Sequence, residues 1–515
     1  MHWRKIRAGV SGAAVSAVLC ATATWGAAAA EPATIEFLGR YESGVSGGAE
    51  IAAYDRGSQR LFVTNGETGE VDVLDVSSPA APARVASIVV DGEPTHVAVA
   101  NGLLAISVNK DDGESPGEVA FFNAYGEPQF SEEVGFLPDM VTFARNGRVA
   151  VVANEGEPTD AGDPQGSISV INVVSRSRRR TPNVCTADFS GFSAASLDAS
   201  TRLFPGKTPE FDFEPEYIAA PRFGRKAFAI LQEANAIATV DLRRCKVTAV
   251  NGLGFKDHSL EGAGIDPSDR DGAIAIATQP VKGIYMPDNG VAFRNKGEIF
   301  IATANEGDAR DEDERIEDVT LDPTAFPNAA FLQQEENLGR LEISTIDGDT
   351  DGDGDFDELF AYGARSFSVY DAYGRQVYDS GDDFERITAA LIPANFNAND
   401  DDASFDSRSD AKGPEPEGIA VGRVRRQRLA FIGLERVGGV MVYDISDPYS
   451  PAFCSYVNTR DFSGPDVNTS TDQAPEGIVF VSSAESPTRD PLLFVSNEVS
   501  GTVASFRVRS GACGE

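Results

Sequence analysis

The chain has 515 residues, of which 80 are aspartate or glutamate and 44 are lysine or arginine, so its formal net charge at pH 7 is −36. A surface this acidic repels nucleic acid and anionic lipid and attracts divalent cations. Beyond the first 30 residues no segment is apolar enough to span a bilayer. We therefore expect no nucleic-acid partner and no membrane span in the mature chain.

The first element in chain order is a predicted secretory signal peptide over residues 1–30. Arg4, Lys5 and Arg7 precede an uncharged, alanine-rich stretch that ends in "AAAA" before Glu31. A basic start, an apolar segment and a small-residue cleavage site are typical of export. The chain is therefore predicted to be secreted or periplasmic, with a retained N-terminal anchor as the alternative.

A recurring phrase organises residues 31–515. It reads "GEPTHVAV", "FLPDMVTF", "FEPEYIAA", "YMPDNGVAF", "PEPEGIAV" and "QAPEGIVF", with "GGAEIAAY" as a variant without proline. Each phrase leads into an apolar strand, a turn, and two further strands. Seven short antiparallel sheets repeated in this way predict an all-β fold, a single seven-bladed β-propeller of four-stranded blades. The strand at 34–40 is predicted to join the last blade and close the ring, and two separate β-domains are the alternative.

Four cysteines remain after removal of the predicted signal peptide, and an even count in an exported chain indicates two disulfides. Each cysteine lies after the third strand of its blade or near the fourth. Cysteines of consecutive blades therefore lie at similar radius. We predict the pairs Cys185–Cys245 and Cys454–Cys513.

Acidic residues recur at two positions of the repeat. Because the strands of a blade alternate in direction, the loop before the innermost strand and the loop after the second strand open on the same face. The loops before the innermost strands carry Glu50, Thr95, Asp139, Glu216, Asp288, Glu417 and Glu476. The loops after the second strands carry Glu67, Asp111, Glu155, Glu233, Glu306, Glu435 and Glu498. One face should hold two rings of carboxylates, although Pro-Asp and Pro-Glu also serve simply as turn formers.

The middle blades carry more acids than turn formation explains, in "NEGEPTDAGD", "DPSDRDG" and "NEGDARDEDE". An all-oxygen cluster suits calcium or magnesium, and the scarcity of histidine argues against zinc or copper. The predicted acidic site comprises Glu155, Glu216, Asp266, Asp269, Asp271, Asp288, Glu306 and Asp308.

The run "DGDTDGDGDFDE" fits the spacing D-x-D-x-D-G-x₅-E of a calcium loop. Its predicted ligands are Asp347, Asp349, Asp351, Asp353, Asp355 and Glu358. The flanking segments alternate like strands, which favours a structural Ca²⁺ on a β-scaffold over a helical calcium sensor. We place this loop in an insertion of about residues 307–365 in blade five. A solvated acidic loop without an ion is the alternative.

Several of these motifs together resemble one family. "NEGEPTD", "ATANEGDARD", "DGDTDGDGDFDE", "GARSFSVYD" and "LLFVSNEVSGTV" occur in the order found in the choice-of-anchor I family, and the resemblance covers nearly the whole mature chain. These are bacterial secreted propellers related to the mesenchyme-specific cell-surface glycoproteins of biomineralising animals. The resemblance implies a secreted β-propeller.

Two functions fit these observations. The first is a calcium-stabilised exported propeller that binds a partner, a surface polymer or a mineral through its acidic face. The second is a metal-dependent phosphoesterase on the same face, with Arg310 or Arg365 opposing the charge of the phosphoryl group. His96 is predicted to pack within a strand, and His258 to be either a surface residue or a ligand. No nucleophile motif supports catalysis, so binding is the favoured hypothesis.

Overall fold

The computed structural model describes residues 31–110, 115–159, 162–173, 183–310, 312–464 and 466–514. Pro32–Glu515 forms one compact unit. The predicted signal peptide, Asp111 and two further acids of the middle blades, Asp160 and Asp311, lie outside the described residues.

The described residues form seven four-stranded antiparallel sheets, which we number as blades 1–7 in chain order. The strands of blade 1 are Ala52–Asp55, Arg60–Asn65, Glu70–Asp75 and Ala83–Val89. Those of blade 2 are Glu93–Ala100, Leu103–Asn109, Glu118–Asn123 and Pro128–Glu133. Those of blade 3 are Met140–Ala144, Val149–Asn154, Ser167–Asn172 and Asn183–Asp188. Those of blade 4 are Pro215–Ala219, Lys226–Leu231, Ala236–Asp241 and Lys246–Gly252.

The remaining blades follow the same order, with two departures. The strands of blade 5 are Asn289–Asn295, Glu298–Asn305, Ser366–Asp371 and Gln376–Asp379, with a long insertion between the second and the third. Those of blade 6 are Pro416–Val424, Gln427–Leu434, Val440–Asp444 and Ala452–Val457. Blade 7 takes Pro475–Val481, Leu492–Asn497 and Thr502–Arg509 from the end of the chain and Thr34–Glu42 from its beginning.

The seven sheets close into a ring. The innermost strand of each blade contacts that of the next, and the innermost strand of blade 7 contacts that of blade 1. Each of seven apolar clusters lies between two neighbouring blades, as with Phe62 of blade 1 and Ile106 of blade 2. Valine, isoleucine and phenylalanine suit these strands because both faces of a blade are covered. The fold is a β-propeller, and the predicted role of the first strand in closing it is confirmed.

The insertion in blade 5 lies where the sequence predicts it, but its partner was not predicted. A five-stranded sheet joins it to the segment before blade 5, in the order Phe255–Asp257, Lys282–Ile284, Phe360–Tyr362, Glu342–Ser344 and Asp313–Arg315. This sheet has its own apolar cluster, which includes Ile265, Leu338 and Ile343. The two segments therefore form one folded subregion instead of independent loops.

Short helices occupy the connections. They are Ala194–Ser196, Pro209–Asp212, Ala329–Leu332, Glu335–Gly339, Asp383–Leu391 and Pro393–Asn395. Among the described residues, no helix has the length and apolar character that crossing a membrane requires.

Both predicted disulfides are confirmed. Cys185 and Cys245 join blades 3 and 4, with their Cα atoms 6.4 Å apart. Cys454 of blade 6 is joined to Cys513, which follows the last strand of blade 7, and their Cα atoms are 4.2 Å apart. Each bond links consecutive blades at their outer strands.

Candidate functional site

Six carboxylates surround one end of the propeller axis. They stand at the beginning of the innermost strands of every blade except blade 2, where Thr95 takes the position. We call this set the inner acids: Glu50, Asp139, Glu216, Asp288, Glu417 and Glu476. Carboxylates of different blades act on one another here, including Asp288 on Asp139 and Glu476 on Asp288. The predicted convergence of these residues on the axis is thus present in the structure.

Two glycines allow the close approach of neighbouring innermost strands. A Cβ atom on Gly418 would lie 1.9 Å from the carbonyl oxygen of Glu476, and one on Gly477 would lie 2.4 Å from that of Glu50. Any side chain at either position would collide with the backbone of the next blade. The glycine in "EPEG" and "APEG" therefore brings the acids of blades 6, 7 and 1 together.

A residue with a left-handed backbone conformation precedes the proline in four of the repeated phrases. Leu137, Met286, Glu415 and Ala474 have φ angles of +46°, +38°, +49° and +58°. A non-glycine residue costs about 1–2 kcal/mol in this conformation. Such strain persists only where the surrounding structure enforces it, and it concentrates at functional sites.

A second set of acids lies just outside the first and is tied to it through the backbone. We call this set the outer acids: Glu155, Glu233, Glu306, Glu435 and Glu498. The backbone N–H of Glu155 donates to the carbonyl oxygen of Leu137 at 2.9 Å. The N–H groups of Glu435 and Glu498 donate to the corresponding left-handed residues of their blades at 2.8 Å. The same hydrogen bond therefore fixes the spacing of inner and outer acids in several blades. Glu67, the equivalent residue of blade 1, is exposed instead and does not join the set.

Burial and mutual repulsion raise the pKa values of these groups. Burial, together with Glu498 and Glu93, raises the pKa of Glu50 to about 7. Burial, with Glu157 nearby, also raises the pKa of Asp139 to about 7. For Glu216 the same two causes hold the pKa well above its ordinary value. A buried carboxylate near others of like charge is costly to ionise unless a cation compensates it.

Cations compensate three of the outer acids, Glu233, Glu306 and Glu435, whereas Glu155 and Glu498 form no ion pair with a described residue. Lys412 contacts Glu306 at 2.9 Å and Glu415 at 3.5 Å, and Arg436 contacts Glu435 at 3.2 Å. Burial opposes the ionisation of Glu415, but Lys412, Arg408 and Arg436 hold its pKa at about 2. Carboxylate oxygens of Glu306, Glu415 and Glu435 lie within 4.8 Å of one another. Because Lys412 and Arg436 contact this group directly, its charge is already balanced.

The inner acids have no such partners. Among the described residues, none of the six forms an ion pair. One carboxylate oxygen each of Glu216, Glu417 and Glu476 is buried without a hydrogen-bond partner. Buried carboxylate oxygens without partners are of the kind that ligate a hard divalent cation. Among the described residues, no three of the six inner acids bring carboxylate oxygens within 4.8 Å of one another.

The predicted acids of the segment before blade 5 lie in a second group. Asp266 is buried, and its backbone N–H donates to Glu385 at 3.0 Å. Asp269 pairs with Arg340 at 3.1 Å, and Asp271 accepts a hydrogen bond from the N–H of Ala273. The prediction that Asp269 converges with Glu155, Glu216, Asp288 and Glu306 was therefore wrong, because the loop that carries it folds onto the insertion. Asp308 is mostly exposed and contacts Lys412 at 3.1 Å.

The predicted calcium ligands divide into three groups. Asp347 is paired with Arg202 at 3.0 Å, and Glu358 with Lys282 at 2.6 Å. Between them, Asp349, Asp351 and Asp353 bring carboxylate oxygens within 4.8 Å of one another on the surface. Asp355 lies with Asp322 and Asp357 in a similar group. A calcium site in this loop stays a prediction, and the three central aspartates are the residues that fit one.

The histidines and arginines considered for catalysis have structural roles. His96 is buried and packs edge-on against Tyr217, with ring centres 5.9 Å apart, which confirms a packed strand histidine. His258 is also buried, and its Nδ1 lies 2.6 Å from the carbonyl oxygen of Ala263, so a surface role is wrong. Arg365 is buried against Glu385. Arg310 forms ion pairs with Asp212 and Glu214 and, at 3.6 Å, with Glu233 of the outer acids.

Sequence reasoning missed the residues that balance the outer acids. Lys412 and Glu415 lie in the segment that enters blade 6, and Arg436 follows its second strand. The motif "AKGPEPEG" places a lysine and a glutamate three residues apart just before the repeated phrase. That spacing is the one signal that could have pointed to an ion-paired partner for the acidic face.

The fold and this site define a class: a β-propeller with a carboxylate-lined axis. The family model described as "Choice-of-anchor I domain" matches residues 50–448, and the chain belongs to this family. It is similar to Gigasin-3a of Magallana gigas, at 35% identity over 193 residues that cover 35% of this chain and 67% of that protein. It is also similar to the mesenchyme-specific cell surface glycoprotein of Strongylocentrotus purpuratus, at 28% identity over 230 residues. That match covers 36% of this chain and only 29% of the glycoprotein.

Solved structures with a similar fold include β-propellers. Kuenenia stuttgartiensis hydrazine synthase matches with a TM-score of 0.47 and 12% identity, covering 91% of this chain and 99% of that one. The β-propeller domain of Myceliophteria thermophila Cps50 (Swd1) matches with a TM-score of 0.43 and 10% identity, covering 92% and 100%. Likeness at this level carries no argument about function.

Proposed function

We propose that the protein is an exported, calcium-stabilised β-propeller that binds a divalent cation at the inner acids and, through it, an extracellular partner. The observation that carries this proposal is the set of six inner carboxylates without an ion pair among the described residues, beside three outer acids, Glu233, Glu306 and Glu435, that do have cationic partners. Two disulfides and similarity to a cell-surface glycoprotein support an extracellular location.

Calcium is the cation that the inner acids suit best. It takes six to eight oxygen ligands in flexible geometry, whereas Mg²⁺ demands a near-ideal octahedron. The inner acids come from six different blades, so their arrangement is set by the ring and not by one local loop. A cation there would lower the raised pKa values of the acids and remove their mutual repulsion. Its remaining coordination positions would face the mouth of the axis, where the carboxylates or phosphates of a surface polymer or mineral can reach them.

The geometry favours binding over phosphoester hydrolysis. A phosphoesterase needs a cationic group free to oppose the charge that develops on the phosphoryl oxygens. Arg310 is held by Asp212 and Glu214, and its guanidinium lies 4.6 Å from the ring centre of Phe204. Arg365 donates to three backbone carbonyl groups and to Glu385. Both arginines therefore stabilise the loops of this face.

Calorimetric titration of the chelated protein with Ca²⁺ tests the proposal. The triple variant Asp349→Asn/Asp351→Asn/Asp353→Asn removes the central aspartate group of the insertion and leaves the group of Asp322, Asp355 and Asp357. We expect a binding event at the inner acids to remain in it. Adding Glu417→Gln and Glu476→Gln should weaken that event at least tenfold, because two charged ligands become neutral.

Glu67→Gln is the matched control, since Glu67 follows a second strand like the outer acids but is exposed. It should leave Ca²⁺ binding unchanged. Absence of any Ca²⁺ or Mg²⁺ binding in the triple variant, or equal binding after Glu417→Gln/Glu476→Gln, would contradict a cation site at the inner acids.

A further inference from the structure

The end of the axis opposite the inner acids carries the reverse charge. It is formed by the turns that join the first strand of each blade to the second, over residues 55–60, 100–103, 144–149, 219–226, 294–298, 423–428 and 481–492. These turns contain fourteen arginines and lysines against four acids, in a chain with a net charge of −36. We call these fourteen the basic face: Arg56, Arg60, Arg145, Arg148, Arg222, Arg225, Lys226, Arg294, Lys296, Arg423, Arg425, Arg426, Arg428 and Arg489.

The basic face is unpaired. None of its fourteen side chains forms an ion pair with a described acid, although arginines elsewhere do so routinely, as Arg84, Arg202 and Arg340 show. Most of the fourteen are exposed. Burial and the neighbouring charge of Arg423 lower the pKa of Arg428. Acids do stand beside this face, since Arg60 lies opposite Asp75 and Lys226 lies opposite Asp241 on neighbouring strands, but none of them forms an ion pair with it. Such a surface is the electrostatic footprint of an anionic ligand.

A cavity lies at the centre of the basic face. Its volume is about 810 Å³, and the charged residues of its lining are Arg56 and Arg222 with Asp55 and Glu485. Asn101, Asn146 and Tyr125 also line it. The Nε of Arg222 donates to the side chain of Asn146 at 3.1 Å, which holds the guanidinium in place. Amide and guanidinium groups in a shallow, polar cavity suit a ligand with hydroxyl and acidic groups.

Exposed aromatic rings accompany the arginines. Tyr125 is 67% exposed and Phe223 is 59% exposed. The guanidinium of Arg60 lies 5.2 Å from the ring centre of Tyr125, and that of Arg222 lies 5.6 Å from the ring centre of Phe223. These contacts hold both rings at the surface with one face against a cation. Their other faces are available to stack on a flat ligand such as a sugar ring.

Four members of the basic face hold a strained backbone. Arg145, Lys296, Arg425 and Arg489 have φ angles of +51°, +48°, +55° and +64°. Tight hairpin turns favour asparagine or glycine at such positions. A basic side chain there costs about 1–2 kcal/mol, which indicates that the charge is retained for a purpose other than folding.

We propose that the basic face binds an anionic polysaccharide, one that carries carboxylate or sulfate groups. Two disulfides indicate an oxidising compartment outside the cytoplasm. There, an anionic polysaccharide can pair with the cations, accept hydrogen bonds from the amide groups and stack its sugar rings on the exposed aromatic rings. A membrane surface would need an apolar patch to insert, and Phe223 is the one large apolar side chain that the described turns expose.

The net negative charge of the chain does not prevent this binding. In one blade, Asp139 of the inner acids and Arg145 of the basic face are joined by a strand that rises about 3.3 Å per residue, so they lie about 20 Å apart. The Debye length at physiological ionic strength is about 8 Å. A ligand at the basic face is therefore screened from the inner acids and encounters the local positive charge.

Binding to heparin and to alginate tests the proposal, with the full mature chain in EDTA so that calcium bridging through the inner acids is excluded. We expect wild-type protein to bind at least one of them, with affinity that falls as NaCl rises from 50 to 200 mM, as counterion release requires. Arg222→Glu/Arg426→Glu should bind at least tenfold more weakly and with a shallower salt dependence. Both residues are exposed and form no ion pair with a described acid, so the melting temperature should change only by what the hydrogen bond from Arg222 to Asn146 contributes.

Arg270→Glu/Arg386→Glu is the control, because it makes the same change in charge at exposed arginines outside the basic face. Each of these arginines is paired with an aspartate, Asp269 or Asp382, so the melting temperature of the control is measured beside its binding. It should bind like wild type. The proposal is overturned by failure of wild type to bind either polysaccharide, or by equal binding of the two double variants. It is also overturned by tighter binding to duplex DNA or phosphatidylserine vesicles at the same anion concentration, or by self-association that replaces polysaccharide binding.

Discussion

At the scale of single residues, the site contains groups that are unfavourable by themselves and that the surrounding fold holds in place. Burial and repulsion raise the pKa of Glu216, and Leu137 and Ala474 hold left-handed backbones that place the acids of their blades. The buried acid and the left-handed residues each destabilise the folded state when considered alone. Natural sequences break local rules in this way mainly at functional sites.

The raised pKa values predict an unusual dependence of stability on pH. The folded-state pKa values of Glu50 and Asp139 are about 7, above the ordinary values of about 4 for the unfolded chain. The folded state therefore binds more protons, and the free energy of unfolding falls as pH rises toward and through 7. In EDTA, we expect the melting temperature to fall between pH 6.5 and pH 8.5, on the order of 5 °C.

The window begins at pH 6.5 because of the two buried histidines. Burial lowers the pKa of His96 and of His258 to about 3 in the folded state. Below pH 6.5 these histidines make the free energy of unfolding rise with pH, which opposes the fall expected from Glu50 and Asp139. Thermal denaturation followed by circular dichroism provides the measurement. The fall should be smaller in Glu50→Gln/Asp139→Asn and with saturating Ca²⁺. A melting temperature that rises over this window would show that the inner acids are ionised and stabilised without a cation.

At the scale of elements, the repeat specified most of the structure. An apolar strand recurs seven times, with a proline in six of the phrases and one of the inner acids in six, and period-2 patterning places each strand within its blade. The disulfides Cys185–Cys245 and Cys454–Cys513 follow from that assignment. The five-stranded sheet does not follow from it, because its strands are three residues long and come from two distant segments. Pairing over such separations leaves no periodic signal in the sequence.

The candidate site was predictable to the same extent. Acids that belong to the repeated phrase converge as expected, since the repeat fixes their place in each blade. Asp266 and Asp269 lie in the segment before blade 5, outside the repeated phrase, and their position depends on contacts with Glu385 and Arg340 that no pattern indicates. The basic face could not be predicted either, because its residues lie in turns of different blades. Only the arrangement of the strands shows that these turns lie at the same end of the axis.

The calcium loop yields a prediction about its register, that is, about which aspartate occupies the first ligand position of the motif. Asp349, Asp351 and Asp353 are grouped, and Gly354 follows them with a φ of +99°, so the D-x-D-x-D-G pattern also fits two residues later than first assigned. We expect Asp351→Asn to abolish Ca²⁺-dependent protection of residues 347–358 from hydrogen exchange. Glu358→Gln should have the smaller effect, because Glu358 is already paired with Lys282. The opposite ranking of the two variants would support the first register.

At the scale of the whole molecule, the propeller is polar along its axis. The beginnings of the innermost strands carry carboxylates, and their ends lead into arginine-rich turns. Two ligands of opposite charge can thus occupy the two ends without competing. This arrangement requires a closed ring, because the inner acids come from six blades and an opened ring would separate them.

Closure depends on the strand Thr34–Glu42, which pairs with Thr502–Arg509 and buries Ile35 against Phe506 and Val508. Deleting residues 31–42 would leave the last strand as an unpaired edge and expose part of that cluster, and such edges promote aggregation. We expect the truncated protein to melt at a lower temperature and to form larger species in light scattering after gel filtration. It should also lose Ca²⁺ binding at the inner acids.

Complementation in trans distinguishes closure from general damage. A synthetic peptide of residues 31–42 should restore the melting temperature, the monomeric size and Ca²⁺ binding, because it supplies the same backbone hydrogen bonds and Ile35. The same peptide with Ile35→Asp should restore none of them, since Ile35 is only 3% exposed in the closed ring. If the truncated protein stays monomeric and melts like the full chain, the first strand does not hold the ring closed, and the inner acids are kept together by the contacts between neighbouring innermost strands.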